Sequence, residues 1–311
     1  MAEFAHLPVM PAEVVDFLGC ARAGAYVDGT VGGGGHASEI LKANPGNRLI
    51  GLDRDSDALA AAQKALAPFT GRFVLVKENF RNVSAVLERL EEGPVDGMLL
   101  DLGVSSYQLE SPERGFSFRF DSKLDMRMDR SSGLTARDLV NTLEEGELFR
   151  IFMEYGEEAH SRRIARAIVK ARAAGTIETT GELQRIVVEA VPAKLRGGRI
   201  HPATRVFQAL RIAVNDELGS LREGLATGME SLKPGGRMVV ISFHSLEDRI
   251  VKAAFRKAAT GCICPPKFPV CVCKRTPQAR LVSKKAVAPS EEEVGGNPRA
   301  RSAKLRAIEK L

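Results

Sequence analysis

The chain has 311 residues, of which 44% are hydrophobic and 27% charged, a balance typical of a soluble globular protein with one large or two small domains. The formal net charge of +6 permits a nucleic-acid partner, but aromatic residues are only 5% and tryptophan is absent, so broad base-stacking surfaces are not expected. No apolar run is long enough to cross a bilayer, and residues 1–11 lack a secretory signal pattern, so we expect a cytoplasmic protein without a membrane partner.

Strand and helix patterns alternate over the first hundred residues. Buried strands are predicted at 25–28, 48–53, 73–76 and 95–101, and the helices between them at 37–41, 55–66 and 83–90. This order predicts an α/β fold with a Rossmann-like, mainly parallel sheet that is covered by helices. Ligands of such sheets bind at the carboxyl ends of the strands.

The first strand ends at Asp28 and leads into a turn with five glycines between residues 29 and 35. Glycine is used where the backbone takes a positive φ or approaches a ligand closely, so we predict a nucleotide-like ligand on this turn. The spacing Gly32-x-Gly34-x-x-Ala37 matches the dinucleotide fingerprint only loosely, and no Lys-Ser or Lys-Thr follows as in a P-loop. The carboxylate of Asp28 would repel a pyrophosphate, whereas it suits the sulfonium and ammonium groups of S-adenosylmethionine.

Two further strands also end in acidic residues. Asp53 is placed to accept hydrogen bonds from both hydroxyls of an adenosine ribose, or else to cap the helix that begins at Asp55. Phe80 follows the third strand and is a candidate for contact with adenine, with ordinary core packing as the alternative. Asp101 ends the fourth strand in the middle of the predicted cleft, and Gln108 is a candidate partner for the amino-acid end of the cofactor.

The pattern changes after residue 108, where strand signals stop. Helices are predicted at 135–142, 144–155, 158–173 and 182–191, and Thr179 with Glu182 forms a capping box for the last of them. The sheet pattern then resumes, so we expect an all-helical insertion at residues 109–205 within a discontinuous cofactor-binding domain, residues 1–108 and 206–311.

The returning half of the sheet domain has five predicted features. They are a helix at 205–229, a turn at 234–236, a strand at 237–242, a helix capped by Ser245 that runs to 259, and a last strand at 302–308. His244 follows the buried strand directly, so it is either a functional residue at a strand end or a structural histidine.

Basic residues accumulate on one predicted helix of the insertion and on the segment after it. They are Arg162, Arg163, Arg166, Lys170, Arg172, Lys194, Arg196, Arg199, His201 and Arg205. A charged outer face is normally only solvated, but this concentration is also compatible with a surface that contacts phosphates.

Four of the five cysteines lie close together in the sequence, at Cys262, Cys264, Cys271 and Cys273. In a reducing compartment a disulfide framework is not expected. Four thiolates at this spacing would suit one zinc ion, but Cys-x-x-Cys is the better-supported zinc spacing. We therefore favour unligated thiols in a surface loop and keep structural zinc as the alternative.

Taken together, these segments resemble the ribosomal RNA small-subunit methyltransferase H family, also called the MraW family, along essentially the whole chain. The matching runs include DGTVGGGGH at 28–36, GLDRD at 51–55, DLGVSS at 101–106, RGFSF at 114–118, LDMRMD at 124–129, YGEE at 155–158, RIARAI at 163–168, HPATR at 201–205, ISFHSLEDR at 241–249 and NPRARS at 297–302.

The resemblance implies a class I S-adenosylmethionine-dependent methyltransferase fold in which the helical insertion recognises rRNA. It implies methyl transfer to the exocyclic N4 of one cytidine in the decoding region of 16S rRNA, with the small ribosomal subunit as partner. The family's cofactor contacts fall on Gly34, Gly35, His36, Asp53, Phe80, Asp101 and Gln108. Asp101 is the candidate catalytic residue that accepts the amino hydrogens of cytosine, with Ser105, nearby carbonyls and His244 as alternatives.

Two other classes of function remain open from the sequence. A nicotinamide-dependent oxidoreductase would be stabilised by NAD and not by S-adenosylmethionine. A non-catalytic ribosome-assembly factor would bind the cofactor without transferring its methyl group. A monomer and a homodimer are both compatible with the sequence.

Overall fold

The computed structural model describes residues 8–131, 133–198, 201–264 and 272–311. The chain divides into two compact units, one comprising the chain up to Gly103 with Leu218–Leu311, and the other Val104–Glu217. None of the helices formed by the described residues is both long enough and apolar enough to cross a membrane.

The helices and strands follow one another in three blocks. The first block consists of α1 (Pro11–Leu18), β1 (Ala25–Asp28), α2 (Gly35–Ala43), β2 (Arg48–Asp53), α3 (Ser56–Ala65), β3 (Phe73–Lys77), α4 (Val83–Arg89) and β4 (Val95–Asp101). The second consists of α5 (Ser106–Glu110), α6 (Ala136–Thr142), α7 (Glu145–Glu154), α8 (Ser161–Arg172), α9 (Thr180–Ala190) and α10 (Ala203–Asn215). The third consists of α11 (Glu217–Ser231), β5 (Leu232–Ser242), α12 (Ser245–Ala259), β6 (Ala279–Leu281), α13 (Glu291–Gly296) and β7 (Lys304–Lys310).

The first unit is built on one seven-stranded sheet in the order β3-β2-β1-β4-β5-β7-β6. Strands β1 to β5 are parallel, whereas β7 runs antiparallel to both β5 and β6. The predicted Rossmann-like, mainly parallel sheet is therefore confirmed. The strand order reverses between β1 and β4, which is where ligands of open α/β sheets bind.

The central strands are apolar on both sides because helices cover both faces of the sheet. Leu99 and Ile241 lie in a core cluster with Ile40 of α2. Met98 and Leu100, on either side of Leu99 in β4, lie in a second cluster with residues of α4, α11 and α12. This alternation follows from the two-residue repeat of a strand.

The returning segment differs from the sequence prediction in several places. Strand β6 and helix α13 were not predicted, and the last strand, β7, spans Lys304–Lys310 rather than 302–308. The helix predicted at 205–229 is two helices, α10 and α11, because Asp216 takes a left-handed conformation with a φ of 45° and ends α10. Strand β5 begins at Leu232 rather than at 237, and its register against β4 shifts across the predicted turn. The residue that caps α12 is His244, not Ser245.

The second unit has its own apolar core, formed mainly by the buried faces of its helices. Leu148 and Phe152 of α7 lie there with Ile164 and Ile168 of α8. Thr179 caps α9 through the predicted capping box with Glu182. The sequence analysis placed the domain boundaries after residues 108 and 205, whereas the compact units divide after Gly103 and Glu217. The second boundary differs because of α10, whose apolar face belongs to the core of the helical unit.

Candidate functional site

Three carboxylates of the first unit lie at the ends of neighbouring strands. Asp28 ends β1 and is paired in register with Gly51 on one side and Leu99 on the other. Asp53 and Asp101 each lie two residues further along their strands, roughly 6–7 Å beyond the level of Asp28. The strand ends therefore form a notch over β1, with one acidic residue at its base and one on each side.

The glycine-containing turn leaves β1 through this notch and is bonded to both neighbouring strands. The amide of Gly29 donates to the carbonyl of Leu99 at 2.9 Å, and the amide of Val31 donates to the carbonyl of Leu52 at 2.9 Å. These two hydrogen bonds fix the position of the start of the turn between β2 and β4.

Two further bonds tie the same turn to the acidic strand ends. The amide of Asp101 donates to Thr30 Oγ1 at 2.7 Å, and the amide of Gly32 donates to Asp53 Oδ2 at 2.9 Å. The positions of the two flanking carboxylates are therefore coupled to the backbone of the turn. Our sequence analysis did not single out Thr30, although a hydroxyl directly after an acidic strand end is a recognisable turn signal.

The glycines at 33 and 34 serve different physical purposes. Gly34 is the N-cap of α2 and has a φ of 84°, where a side chain would be strained. A Cβ on Gly34 would also lie 3.3 Å from the Cα of Ala62. A Cβ on Gly33 would meet no atom of the described chain within 4 Å, so this part of the turn presents bare backbone to open space.

His36 lies in the first turn of α2 beside the acidic notch and is only 6% exposed. Its Nε2 is 3.5 Å from Asp101 Oδ2, an ion-pair distance. Burial alone would lower the pKa of His36, but Asp101 and Asp28 outweigh this effect and raise it. Within the described residues, neither ring nitrogen of His36 has a hydrogen-bond partner, and Oδ1 of Asp101 has none either.

Asp28 is 1% exposed, and burial raises its pKa from the ordinary value to about 7. The neighbouring Asp101 and Asp53 act in the same direction, whereas His36 and the amide of Thr30 oppose them. Asp28 is therefore poised between its neutral and charged forms near neutral pH, where a nearby cation would favour the charged form.

Main-chain amides hold the carboxylate of Asp53 in place, among them those of Gly32 and Asp55. Oδ2 accepts from Gly32 and Oδ1 accepts from Asp55 at 2.9 Å, while Asp55 itself is the N-cap of α3. The alternative role of Asp53 as the helix cap is thus taken by Asp55. Burial raises the pKa of Asp53 to about 6, although these amides lower it in part.

Phe80 lies just beyond β3, and its ring packs against the backbone of α11. A Cβ on Gly224 would meet Phe80 Cδ2 at 2.4 Å, and a Cβ on Gly29 would meet Phe80 Cβ at 2.9 Å. The ring is partly buried against the apolar cluster on that face of the sheet. Part of the Phe80 side chain is therefore used in core packing. The residue lies beside Gly29, the first residue of the turn.

Gln108 belongs to the second unit, in the short helix α5. Its Oε1 accepts from the amide of Ser105 at 3.1 Å, and its own amide donates to Ser105 Oγ at 3.2 Å. The two residues form a capping box, and Gln108 is 4% exposed. Its side-chain oxygen is engaged in local structure, which the sequence analysis did not anticipate.

His244 is held by the helix that it caps. Its Nδ1 accepts from the amide of Glu247 at 3.4 Å, and its Nε2 is 3.2 Å from Glu247 Oε1. Glu247 Oε2 accepts in turn from the amide of Phe243 at 2.8 Å. These contacts favour the structural alternative for His244.

The ten basic residues that the sequence analysis named lie in different surroundings. Arg162, Arg163, Arg166 and Lys170 lie on the exposed side of α8. Others bind carbonyl oxygens of their own unit: Arg172 donates to Val140 and Leu143, Arg196 to Val191 and Glu189, and Arg205 to Glu157. His201 stacks on Phe118 with ring centroids 4.8 Å apart, Lys194 is exposed, and Arg199 lies outside the described residues.

Comparison with known proteins gives a consistent result. The sequence model described as the MraW methylase family matches residues 3–311. The ribosomal RNA small subunit methyltransferase H of Carboxydothermus hydrogenoformans is 56% identical over 309 residues, 99% of either chain, and that of a Geobacter species is 55% identical over 312 residues, 100% of either chain. Among solved structures, an rRNA methylase from Streptococcus thermophilus matches with 10% identity and a TM-score of 0.41, over 96% of this chain and 95% of that one.

Proposed function

Because the chain belongs to the MraW methylase family, we propose that it transfers a methyl group from S-adenosylmethionine to the exocyclic N4 of one cytidine in the decoding region of 16S rRNA. Methylation of rRNA with S-adenosylmethionine as donor is the activity of this family, and it replaces the nicotinamide-dependent alternative. The position and the atom that are methylated are our proposal. The observation that carries the choice of an amino nitrogen is the buried Oδ1 of Asp101, an acceptor at the sheet's switch point that has no partner among the described residues. The position rests on the family resemblance.

The residues at the strand ends fit a cationic nucleoside. Asp28, Asp53 and Asp101 supply negative charge, which favours a sulfonium and an ammonium and disfavours phosphate. We assign Asp53 to the ribose hydroxyls, since an ionised carboxylate only accepts hydrogen bonds and the amides of Gly32 and Asp55 hold this one in place. The backbone at Gly34 and Gly35 would lie against the ligand.

The remaining cofactor contacts on this unit are assigned in the same way. Phe80 offers an apolar ring beyond β3 for adenine. His36 pairs with Oδ2 of Asp101 and so orients that carboxylate. When bound, the cofactor supplies a methyl group on a sulfonium, which is already an activated leaving group.

The chemical task left to the protein concerns the nitrogen that attacks. The lone pair of cytosine N4 is delocalised into the ring, so the amino group must be held and its excess proton removed as the N–C bond forms. We propose that Oδ1 of Asp101 accepts a hydrogen bond from the N4 amino group and then takes its proton. Meanwhile His36 keeps the carboxylate oriented through Oδ2. In-line positioning supplies the rest of the acceleration, and the target base must be unstacked to reach Asp101.

Cofactor affinity is expected to rise with pH between about 6 and 8, because the pKa of Asp28 is about 7 in the ligand-free protein. A bound cation favours the ionised carboxylate and lowers its pKa, so binding releases a proton and improves as pH rises, by at most about tenfold per pH unit. Deprotonation of His36, which faces Asp28, acts in the same direction. Isothermal titration calorimetry across this range measures the slope.

The matched variant for this pH prediction is Asp28→Asn, which keeps the shape and loses the titration. It should bind the cofactor more weakly and with a flatter pH dependence. S-adenosylhomocysteine, which lacks the sulfonium charge, should show a smaller slope than the methyl donor. An equally steep slope in Asp28→Asn would mean that another group is responsible.

The exposed basic side of α8 is the proposed rRNA surface. Replacing Arg163, Arg166 and Lys170 together by alanine should weaken binding to 16S rRNA by about tenfold or more and reduce the slope of log affinity against log salt by about 2–3. Arg172 is left in place because it supports the second unit through two carbonyls. Filter binding at several salt concentrations provides the measurement.

The control for the charge lost is a triple variant on the sheet unit, at Lys64, Arg89 and Lys252, all of which are exposed. It removes the same three positive charges from the other unit. Equal losses in both variants would indicate general attraction to the basic protein and would contradict a recognition surface on α8.

The proposed reaction itself is tested with small subunits from a strain that lacks this chain. Incubation with methyl-labelled cofactor, followed by nucleoside analysis and mapping, should find the label on N4 of one decoding-region cytidine. Label elsewhere would refute the position. Cofactor binding without any transfer would identify a non-catalytic assembly factor.

A further inference from the structure

The loop between α12 and β6 brings together thiols that the methyl-transfer chemistry does not use. The Sγ atoms of Cys262, Cys264 and Cys273 all lie within 4.8 Å of one another. No histidine or carboxylate among the described residues joins this group, so it is an all-sulfur cluster. Cys271 lies outside the described residues.

The spacing of the sulfurs suits a metal better than a disulfide. Cys262 Sγ and Cys273 Sγ are 3.8 Å apart, whereas bonded sulfurs lie at about 2.05 Å. Four thiolates at about 2.3 Å from a central zinc form a tetrahedron whose edges are about 3.8 Å. The observed separation is therefore the distance expected of two neighbouring zinc ligands.

The described residues of this loop form no apolar interior that would gather these side chains. None of the described residues at 260–264 and 272–278 is buried. Ile263 and Val272, each beside a clustered cysteine, are 61% and 67% exposed. The apolar side chains therefore face solvent, while the sulfurs of the cysteines beside them converge.

We propose that Cys262, Cys264 and Cys273 bind a structural zinc ion that holds this loop together, at a site separate from the acidic strand ends. Thiolate ligands favour zinc among the common divalent ions, and the fourth position belongs to a ligand outside these three. The ion supplies the cohesion that the described residues of the loop do not obtain from an apolar core. The proposal takes up the zinc alternative, which the spacing alone had ranked below unligated thiols.

The test is metal analysis of the full chain, purified without chelator and with a reductant present. We expect one zinc per chain by mass spectrometry, retained through gel filtration. Substituting cobalt should give the intense sulfur-to-metal absorption of thiolate ligation. Chelation should release the ion, expose the thiols to a thiol reagent and make the loop sensitive to protease, while the sheet unit stays folded.

Two variants separate ligation from general disturbance of the loop. Cys264→Ser should lose the zinc, whereas Ile263→Ser, which changes the adjacent exposed residue, should retain it. Metal far below one equivalent in the native chain, equal zinc in both variants, or the visible absorption of an iron–sulfur cluster would overturn the proposal. Thiols lost as disulfide without bound metal would overturn it as well.

Discussion

Asp101→Asn is expected to reduce methyl transfer at saturating cofactor by about 10²–10⁴-fold, the range typical of losing a positioned proton acceptor. The substitution keeps the size of the side chain. It also keeps the hydrogen bond that the main-chain amide of residue 101 donates to Thr30 Oγ1. It removes the carboxylate that we propose as the acceptor for the N4 proton. Single-turnover assays on undermethylated small subunits measure this step separately from product release.

Cofactor affinity should fall much less than the rate, because Asp28 and Asp53 retain their charges. The matched control is Asp96→Asn near the start of the same strand, where Asp96 accepts from Ala25 and Lys233 at 2.8 Å. It should cost some stability and leave transfer intact. A transfer rate of Asp101→Asn within about threefold of the native rate would refute the assignment of this carboxylate.

Gly34→Ala is expected to weaken cofactor binding by at least about tenfold, since it shifts the backbone against which the ligand lies. Residue 34 has a φ of 84°, so alanine adds strain of roughly 1 kcal/mol to the folded state. Its Cβ would also lie 3.3 Å from the Cα of Ala62, which pushes α2 away from α3. Calorimetric titration with S-adenosylhomocysteine and thermal unfolding measure the two effects.

Gly71 offers a control with the same backbone angle. It also has a φ of 84°, but a Cβ there would meet nothing within 4 Å, and it lies before β3, away from the turn. Gly71→Ala should therefore reproduce the strain and leave affinity unchanged. If both variants bind equally well, the backbone at residue 34 does not contact the cofactor.

The parallel sheet and its acidic strand ends were predictable because their signals are local. A short apolar run followed by an acid occurs at Asp28, Asp53 and Asp101, and parallel strands bring such ends to one edge of the sheet. The glycine-rich turn was recognisable for the same reason. These signals depend on residues that are adjacent in the sequence and very little on contacts between distant residues.

Residues whose roles depend on a competing local bond were harder to predict. Gln108 and His244 both occupy capping positions, where their side chains satisfy amides at helix starts. Arg172 donates to the carbonyls of Val140 and Leu143, although its helical spacing suggested a place on a solvated face. Polar side chains of this kind can hydrogen-bond to several different partners, and their spacing in the sequence does not determine which partner they take.

What the sequence by itself determined was the order of the elements from β1 to β4, the family and the chemical character of the strand ends. The tertiary structure decided which polar atoms remain for a ligand, because that depends on which partners packing brings near. It joined Thr30 to Asp101, left Oδ1 of Asp101 without a described partner, and set the sulfurs of Cys262 and Cys273 3.8 Å apart. Distances between residues far apart in the chain follow from packing, which no single-residue pattern encodes.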